Sequence, residues 1–413
     1  MKLGMVSMKY ALRSLKRHTR RTALSMIGVG VGCSMALLAM SYMTGALEMP
    51  IRAIAESGAG HLRIVHAKWP ETQENTLRLE DWRVLVEGVK QLPSLEVYTC
   101  RARASGLLAF GNRTAAAQVT AVMPESEYAS NRVIRRGKME GRYLKATDKN
   151  AVVIGKTLAR RLDVKLDDDL YATLSGKEDI YSAMFRIVGI LDTGSSDLDL
   201  NICHTPLANF EAVTGIPGPG EISILLDDAT SIPAAQAQLK SELSGNTTLI
   251  TWREIFPAFA AGADGDVAFM RMMTGIVVFV VALGIMSAQL TAVLERRKEF
   301  AMLVALGMKH GQIILMVMME ALVVGLGGAV IALGIGGAGA WYLAEKGINF
   351  GALVGDDLGF GGILMDPYLY GSFGPWLIGH ALAIALLTTI LATVYPAWRA
   401  TRIMPADALR TTG

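Results

Sequence analysis

Charge is the first thing this sequence has little of. Only 19% of its 413 residues are charged, against 52% apolar ones, which excludes an ordinary soluble protein of this length and points to the membrane. Metal-binding patterns are missing too. The six His form no HExxH pair, and the acidic run 167–169 is not an EF-hand loop, so a solvated turn is expected there and no metal. There is no Gly-x-Ser-x-Gly elbow and no Ser/His/Asp or Cys/His arrangement, so no catalytic residue is assigned. Of the three cysteines, Cys33 lies in an apolar run, while Cys100 and Cys203 fall in different parts of the region that follows. Two buried thiols are expected there, with a disulfide as the alternative. Internal repeats and low-complexity linkers are absent as well. One further absence matters: "NAVVIGKTLARR" (150–161) turns from strand to helix through Gly-Lys-Thr as a P-loop does, but Asn150 stands where the loop needs its first glycine.

What is present in quantity is apolar sequence. Runs at 22–44, 272–294, 321–344 and 376–398 are each about 23 residues, roughly 35 Å as a helix and enough to cross a hydrocarbon core of about 30 Å. The first is too long for a secretory signal and is read as a retained anchor. Lys2, Lys9, Arg13, Lys16, Arg17, Arg20 and Arg21 precede it with no acid among them, which places the N-terminus in the cytoplasm. Arg296, Arg297, Lys298 and Lys309 put the loop between spans two and three inside as well, and Arg399, Arg402 and Arg410 do the same for the C-terminus. The loop after span three carries Glu345, Asp356, Asp357 and Asp366 against Lys346 alone and is expected outside.

The expected order is a basic amphipathic helix on the cytoplasmic interface (1–21), a first span (22–44), a large external domain (45–266) and a second span (267–294). A cytoplasmic helix (295–312), a third span (313–344), an external loop (345–375), a fourth span (376–398) and a cytoplasmic tail (399–413) complete it. The basic start is read as topology and lipid contact rather than a nucleic-acid arm. The Gly-Lys-Thr stretch then faces away from cytoplasmic ATP, as does "LSGK" (174–177), which imitates an ABC signature loop.

The external domain is expected to be α+β. "HLRIVHAKW", the pair "EVYTCRARASGLLAF" and "TAAAQVTAVM", "EISILLDD" and "TLITWREIF" read as strands, and "LEDWRVLVEGVKQL" and "SIPAAQAQLKSEL" as helices. These give a βαββ and a βαβ sharing one split layer with helices on one face. A β-rich subdomain is inserted at about 124–219, with strands at "AVVIG", "DLYATL", "FRIVGIL" and "LNICHT" and helices through Leu162 and over "PLANFEAVTG".

The cytoplasmic loop "ERRKEFAMLVALGMKHGQI" opens with five charges and continues with Phe300, Leu303, Val304 and Leu306 on one helical face. It is read as a short amphipathic helix that docks in another protein's groove, or else rests on lipid. Glu320, at the cytoplasmic start of span three, is expected to pair with a basic neighbour; a proton or substrate role is the alternative. Gly28 and Gly32 form a GxxxG in span one, and span three is rich in glycine, which lets helices pack closely.

These motifs resemble the FtsX-like permease family of ABC transporters, which includes macrolide-exporter and lipoprotein-releasing permeases. The tail follows the pattern Tyr-Pro-Ala-x-x-Ala-x(4)-Pro-x-x-Ala-Leu-Arg at Tyr395, Pro396, Ala397, Ala400, Pro405, Ala408, Leu409 and Arg410. "GHLRI", "VVIGKTLARRLDVKLDD", "FRIVGILDTGSSDLDL" and "HTPLANFEAVTG" are similar to the lipoprotein-releasing branch, although no Pro-rich protruding hairpin is visible. The resemblance implies a permease of the bacterial inner membrane that holds no cofactor itself. ATP and Mg are expected on an ABC-type ATPase subunit present in two copies, beside a second permease. Lipoprotein cargo and a periplasmic carrier are further implied partners. In this picture closure of the ATPases pushes the loop from Glu295 to Gly307, with Glu295, Arg296, Arg297 and Glu299 making polar contacts to the ATPase and Leu303 and Leu306 filling its groove. A signalling subunit controlling an external cell-wall hydrolase, or a drug or peptide efflux permease, is the alternative.

Overall fold

The computed structural model describes residues 19–176, 179–243, 245–349, 359–360, 363–364 and 366–402. Residues 1–18 of the basic helix, Lys177, Asp356, Asp357, and Pro405, Ala408, Leu409 and Arg410 of the tail motif lie outside the described residues. Helix α1 (Thr19–Glu56) leads to β1 (Leu62–His66), α2 (Trp82–Lys90), β2 (Leu95–Phe110), β3 (Arg113–Val122), α3 (Pro124–Ser130) and α4 (Arg132–Arg136). Next come β4 (Lys138–Gly141), β5 (Ala151–Gly155), α5 (Lys156–Leu162), β6 (Asp169–Ser175), β7 (Ile180–Asp192), α6 (Ser196–Asn201), β8 (Cys203–Pro206) and α7 (Leu207–Thr214). The chain continues through β9 (Glu221–Leu226), α8 (Ile232–Glu242), β10 (Thr247–Thr251) and the single turn α9 (Trp252–Ile255). It ends with α10 (Pro257–Glu295), α11 (Arg297–Ala305), α12 (His310–Lys346) and α13 (Trp376–Thr401). Two units divide these elements: Met1–Ala46, Asp264–Ile348 and Tyr370–Gly413 form one, Leu47–Ala263 and Asn349–Leu369 the other.

The first unit is helical. Among the described residues α1, α10, α12 and α13 are long and apolar enough to cross a bilayer. The 39 residues of α10 measure roughly 58 Å, well beyond a core of about 30 Å. The helix starts at Pro257, ahead of the apolar stretch; proline suits a first helical turn, while Gly262, Asp264, Gly265 and Asp266 mask the helical signal in the sequence. Glycines set the packing of α12. A Cβ at Gly328 would meet the Val29 side chain at 2.5 Å, and one at Gly336 the Ser34 backbone at 3.0 Å, so α1 lies close along it; at Gly325 the neighbour is Thr389 of α13 at 3.1 Å. The expected GxxxG pair is divided. Gly32 lies against Val281 of α10, but among the described residues nothing comes within 4 Å of a Cβ at Gly28, whereas Gly30, against Ile331, is a close approach that the pair omitted. Large side chains such as Leu24, Met35, Phe279 and Leu391 are exposed on these helices, a surface suited to hydrocarbon and adverse in water.

The second unit is built on one mixed sheet. Strands β10, β1, β9, β2 and β3 lie side by side in that order. Helices α2 and α8 meet on one face, above Ile64 of β1. Strand β2 has 16 residues, about 53 Å of extended chain, and it serves two partners. Up to Arg101 it pairs with β9, and over 106–109 with β6. Pairing of β3 with β8, β8 with β5, β5 with β7 and β7 with β6 then closes a ring of six strands, β2-β3-β8-β5-β7-β6. Leu108, Leu170, Ala172, Phe185 and Ile187 are buried in the same core cluster, and a ring this narrow is filled by its own side chains. Strand β4 pairs with β7 over 189–192, continuing the edge that β6 holds over 180–186.

Two stretches read as strand turn helical. "TLITWREIF" stops being a strand at Thr251, where Thr251 and Glu254 form a capping box. "LNICHT" is strand only from Cys203, because Asp199 accepts hydrogen bonds from the Thr193 N–H and hydroxyl and folds the preceding residues into α6. Cys100 and Cys203 are buried and free, and burial pushes both thiols up to about 12.

Candidate coupling site

Helix α10 ends at Glu295, and Arg296 leaves helical geometry before α11 begins. The arginine is turned inward, 7% exposed. Its Nε donates to Glu299 Oε2 and its Nη1 to Glu320 Oε2 of α12, both at 2.9 Å, and its guanidinium stacks 5.3 Å from the Phe300 ring. One cation thus ties the end of α10, helix α11 and helix α12 together. Sequence grouped Arg296 with the polar contacts to a partner; its placement is internal, and Glu320 has the basic neighbour expected for it. Glu295 and Arg297 lie on the exposed side.

Helix α11 has two apolar faces. Phe300 and Ala301 are buried, Phe300 in a cluster with Val293, Ile313, Met316 and Val317, and Leu303 is half-buried against that cluster. Met302 and Leu306 point away, 50% and 84% exposed. Leu303 is therefore largely committed to its own unit, and Met302 takes the outward place beside Leu306. The helix ends in a Schellman turn: Met308 N–H donates to Leu303 O and Gly307 N–H to Val304 O. Gly307 sits at φ +89, a conformation that glycine adopts without Cβ strain.

The described part of the tail motif forms the floor of this site. Pro396 is buried, and Ala397 and Ala400 are wholly buried in the cluster that holds Phe300; larger residues would lift α11 off α13. Tyr395 is exposed and lies 6.2 Å from the Trp398 ring, over which Arg402 stacks at 4.5 Å.

In the second unit the P-loop imitation is occupied by its own fold. Lys156 pairs with Asp192, and Gly155 is required because a Cβ there would run into the Asp199 carbonyl oxygen. In the acidic run, Asp168 accepts from the Lys165 N–H and Asp169 pairs with Arg186. Sequence patterns did not reveal a buried charge network. Arg101 of β2 binds Glu127 of α3 through Nε at 2.7 Å and Nη2 at 2.8 Å, and Arg63 and Arg103 hold Glu221 at 3.1 and 2.8 Å. Burial alone would raise both carboxyls, but Arg101 at Glu127, and Arg103 and Arg63 at Glu221, outweigh it and hold them below the usual range. The alternation of Arg101 and Arg103 in an apolar strand was the available signal, since an arginine on a buried face demands a carboxylate.

Comparison with known proteins agrees with this architecture. The MacB-like periplasmic core domain family matches residues 22–242, more than half of the chain, and the FtsX-like permease C-terminal family matches residues 271–405. The lipoprotein-releasing system transmembrane protein LolC of Xylella fastidiosa is 22% identical over 98% of both chains. The macrolide export ATP-binding/permease protein MacB of Brucella melitensis is 25% identical over 98% of this chain and 60% of its own length. Among solved structures, the periplasmic region of MacB from Actinobacillus actinomycetemcomitans aligns with 50% of this chain and 95% of its own, at 15% identity and a TM-score of 0.37. The chain belongs to the FtsX-like permease family of ABC transporters, with a MacB-like periplasmic core domain.

Proposed function

We propose that the chain is the permease subunit of a bacterial inner-membrane transporter in which separate ATPase subunits move a cargo they never touch. Both termini and α11 face the cytoplasm, as the lysine and arginine distribution favours, and the mixed domain is periplasmic. Two ATPase subunits grip α11 and the equivalent helix of a second permease. Their closure on ATP and Mg displaces α11, Arg296 passes that displacement to α10 and α12, and these long helices carry it to the periplasmic side. A two-state element biased from one end is all that such transmission requires. The cargo is a lipoprotein or another hydrophobic molecule released from the outer leaflet or the periplasm.

The observation that carries this reading is the outward face of α11. A helix of nine residues that anchors one apolar face internally while presenting Met302 and Leu306 on the other is shaped for a groove. Burying the Leu306 side chain on docking contributes about 1.5–3 kcal/mol, and an aspartate there adds the cost of a desolvated carboxylate. Leu306→Asp is expected to abolish permease-stimulated ATPase activity in the reconstituted complex and leave membrane insertion intact. Unchanged stimulation would remove α11 as the coupling element.

A further inference from the structure

Where α1 ends, three separate stretches of the second unit meet on one arginine. Arg132, the first residue of α4, places Nη1 3.1 Å from Glu56 Oε2 and Nη2 3.4 Å from Asp366 Oδ2. Glu56 is the last residue of α1 and is also held by Arg52, one turn earlier, at 2.7 Å. Asp366 belongs to the segment between α12 and α13 and also meets Arg136 at 3.3 Å. The side chains of Arg132, Glu56 and Asp366 are 15%, 11% and 16% exposed, so water screens them far less than an open surface pair.

The surroundings make this a firm seat. Ser57 and Asn131 form an isolated β-bridge beside the arginine. The Asn131 side chain accepts from the Val133 N–H, capping α4, and donates to Glu127. Glu127 in turn holds Arg101, whose Nη1 donates to the Gly58 carbonyl. Gly58 has φ +92, and a Cβ there would collide with the Arg101 guanidinium. Chain entry from α1 is thus fixed by β2, α3 and α4 together. Helix α4 runs directly into β4, which pairs with β7 of the six-stranded ring.

Among the described residues the buried Arg132 Nη2 has no hydrogen-bond partner, although Asp366 is within ion-pair distance. A shift of the Asp366 segment by about half an ångström would turn that contact into a charge-assisted bond. The two carboxylates on Arg132 come from stretches leading to different spans, so the arginine is fully paired only while both keep their place.

We propose that Arg132 is a positioning residue that ties the end of α1 and the segment between α12 and α13 to the α3–α4 part of the ring, so that displacements of the spans arrive there together. Its use in transport rests on the permease reading above; the tie itself does not. Removing either carboxylate leaves the guanidinium buried and half-paired, and the two stretches are then free to move separately.

The test uses the full-length chain with spin labels on cysteines introduced as Ala146→Cys and Tyr368→Cys, the native cysteines being buried. The protein is measured alone in detergent and then with its copurified ATPase and vanadate-trapped nucleotide. The native background is expected to give one narrow distance that trapping leaves unchanged. Asp366→Asn should at least double the width of the distribution and make it respond to nucleotide, and Arg132→Gln should do the same. Asp366→Glu should restore native behaviour, and Arg135→Ala, at a neighbouring exposed position, should retain it. Native width in both Asp366→Asn and Arg132→Gln overturns the proposal, as does equal broadening in Arg135→Ala. Because width is read first on the chain alone, a failure to copurify an ATPase counts against the permease reading and leaves the tie to stand or fall on its own data.

Discussion

Replacing Glu320 by glutamine tests the internal half of the coupling site. Removing one partner of a buried ion pair typically costs about 3–5 kcal/mol, because the other charge stays desolvated. Two features of this site lower the figure. Glu320 is 13% exposed rather than fully buried, and Glu299 remains 2.9 Å from the same guanidinium. A loss of about 2 kcal/mol in the local stability of the α10–α11 junction is therefore expected, which is about 30-fold in the population of its open form. Trypsin reads that population directly, since Arg297 and Lys298 are exposed at the junction and cleavage there tracks the opened state when reclosing is fast. Fragments ending at these residues should appear about 30 times faster in Glu320→Gln than in the native chain. Arg296→Met should be comparably fast. The double variant should be less destabilised than the two single ones summed, by about 1–2 kcal/mol, because it buries no orphaned charge. Cleavage within about threefold of native in Glu320→Gln, or strict additivity in the double variant, would show that the contact does not fasten α11 to α12.

Two further outcomes follow from the second unit. His61 and His204 are both held neutral by burial, each pushed down to about 4, and His61 Nδ1 accepts the Leu226 N–H. The stability they protect is complete above about pH 6.5 and is lost as pH falls toward 4, by about 2 kcal/mol per histidine at pH 5; hydrogen exchange at β1 and β8, corrected for intrinsic rate, should show it, and His61→Asn should flatten the β1 dependence. Lys156→Ala should leave ATP hydrolysis by the complex unchanged, as a surface ion pair and not a phosphate ligand, whereas Gly155→Ala should lower the folded yield because backbone obstructs its Cβ; a loss of hydrolysis in Lys156→Ala alone would restore the nucleotide reading.

The spans were legible because apolar transfer is a property of each residue in turn, so a window of sequence reports it without knowledge of neighbours. The β2 and β3 pair was legible for a similar reason: a short turn joins two strands whose partners are close in sequence. The tail motif was recognisable as a pattern, but its purpose, alanines small enough for Phe300 to rest on, appears only when α11 lies beside α13. The double service of β2, to β9 and then to β6, was hidden because nothing local marks where a strand changes partners.

Charges divide along the same line. Sequence alone showed that Arg296 and Glu320 stand at the ends of apolar runs and that Arg101 and Arg103 interrupt an apolar strand. It did not fix their direction, and the group expected to face a partner turned out to contain one inward arginine and one half-buried leucine. Arg132 meets Glu56 across 76 residues, and Arg136 meets Asp366 across 230. Membrane insertion was set by composition because each side chain exchanges water for lipid on its own account. Which charges are spent inside and which remain for partners was decided by the tertiary structure, because a pair's energy depends on the distance between two groups that only the completed fold brings together.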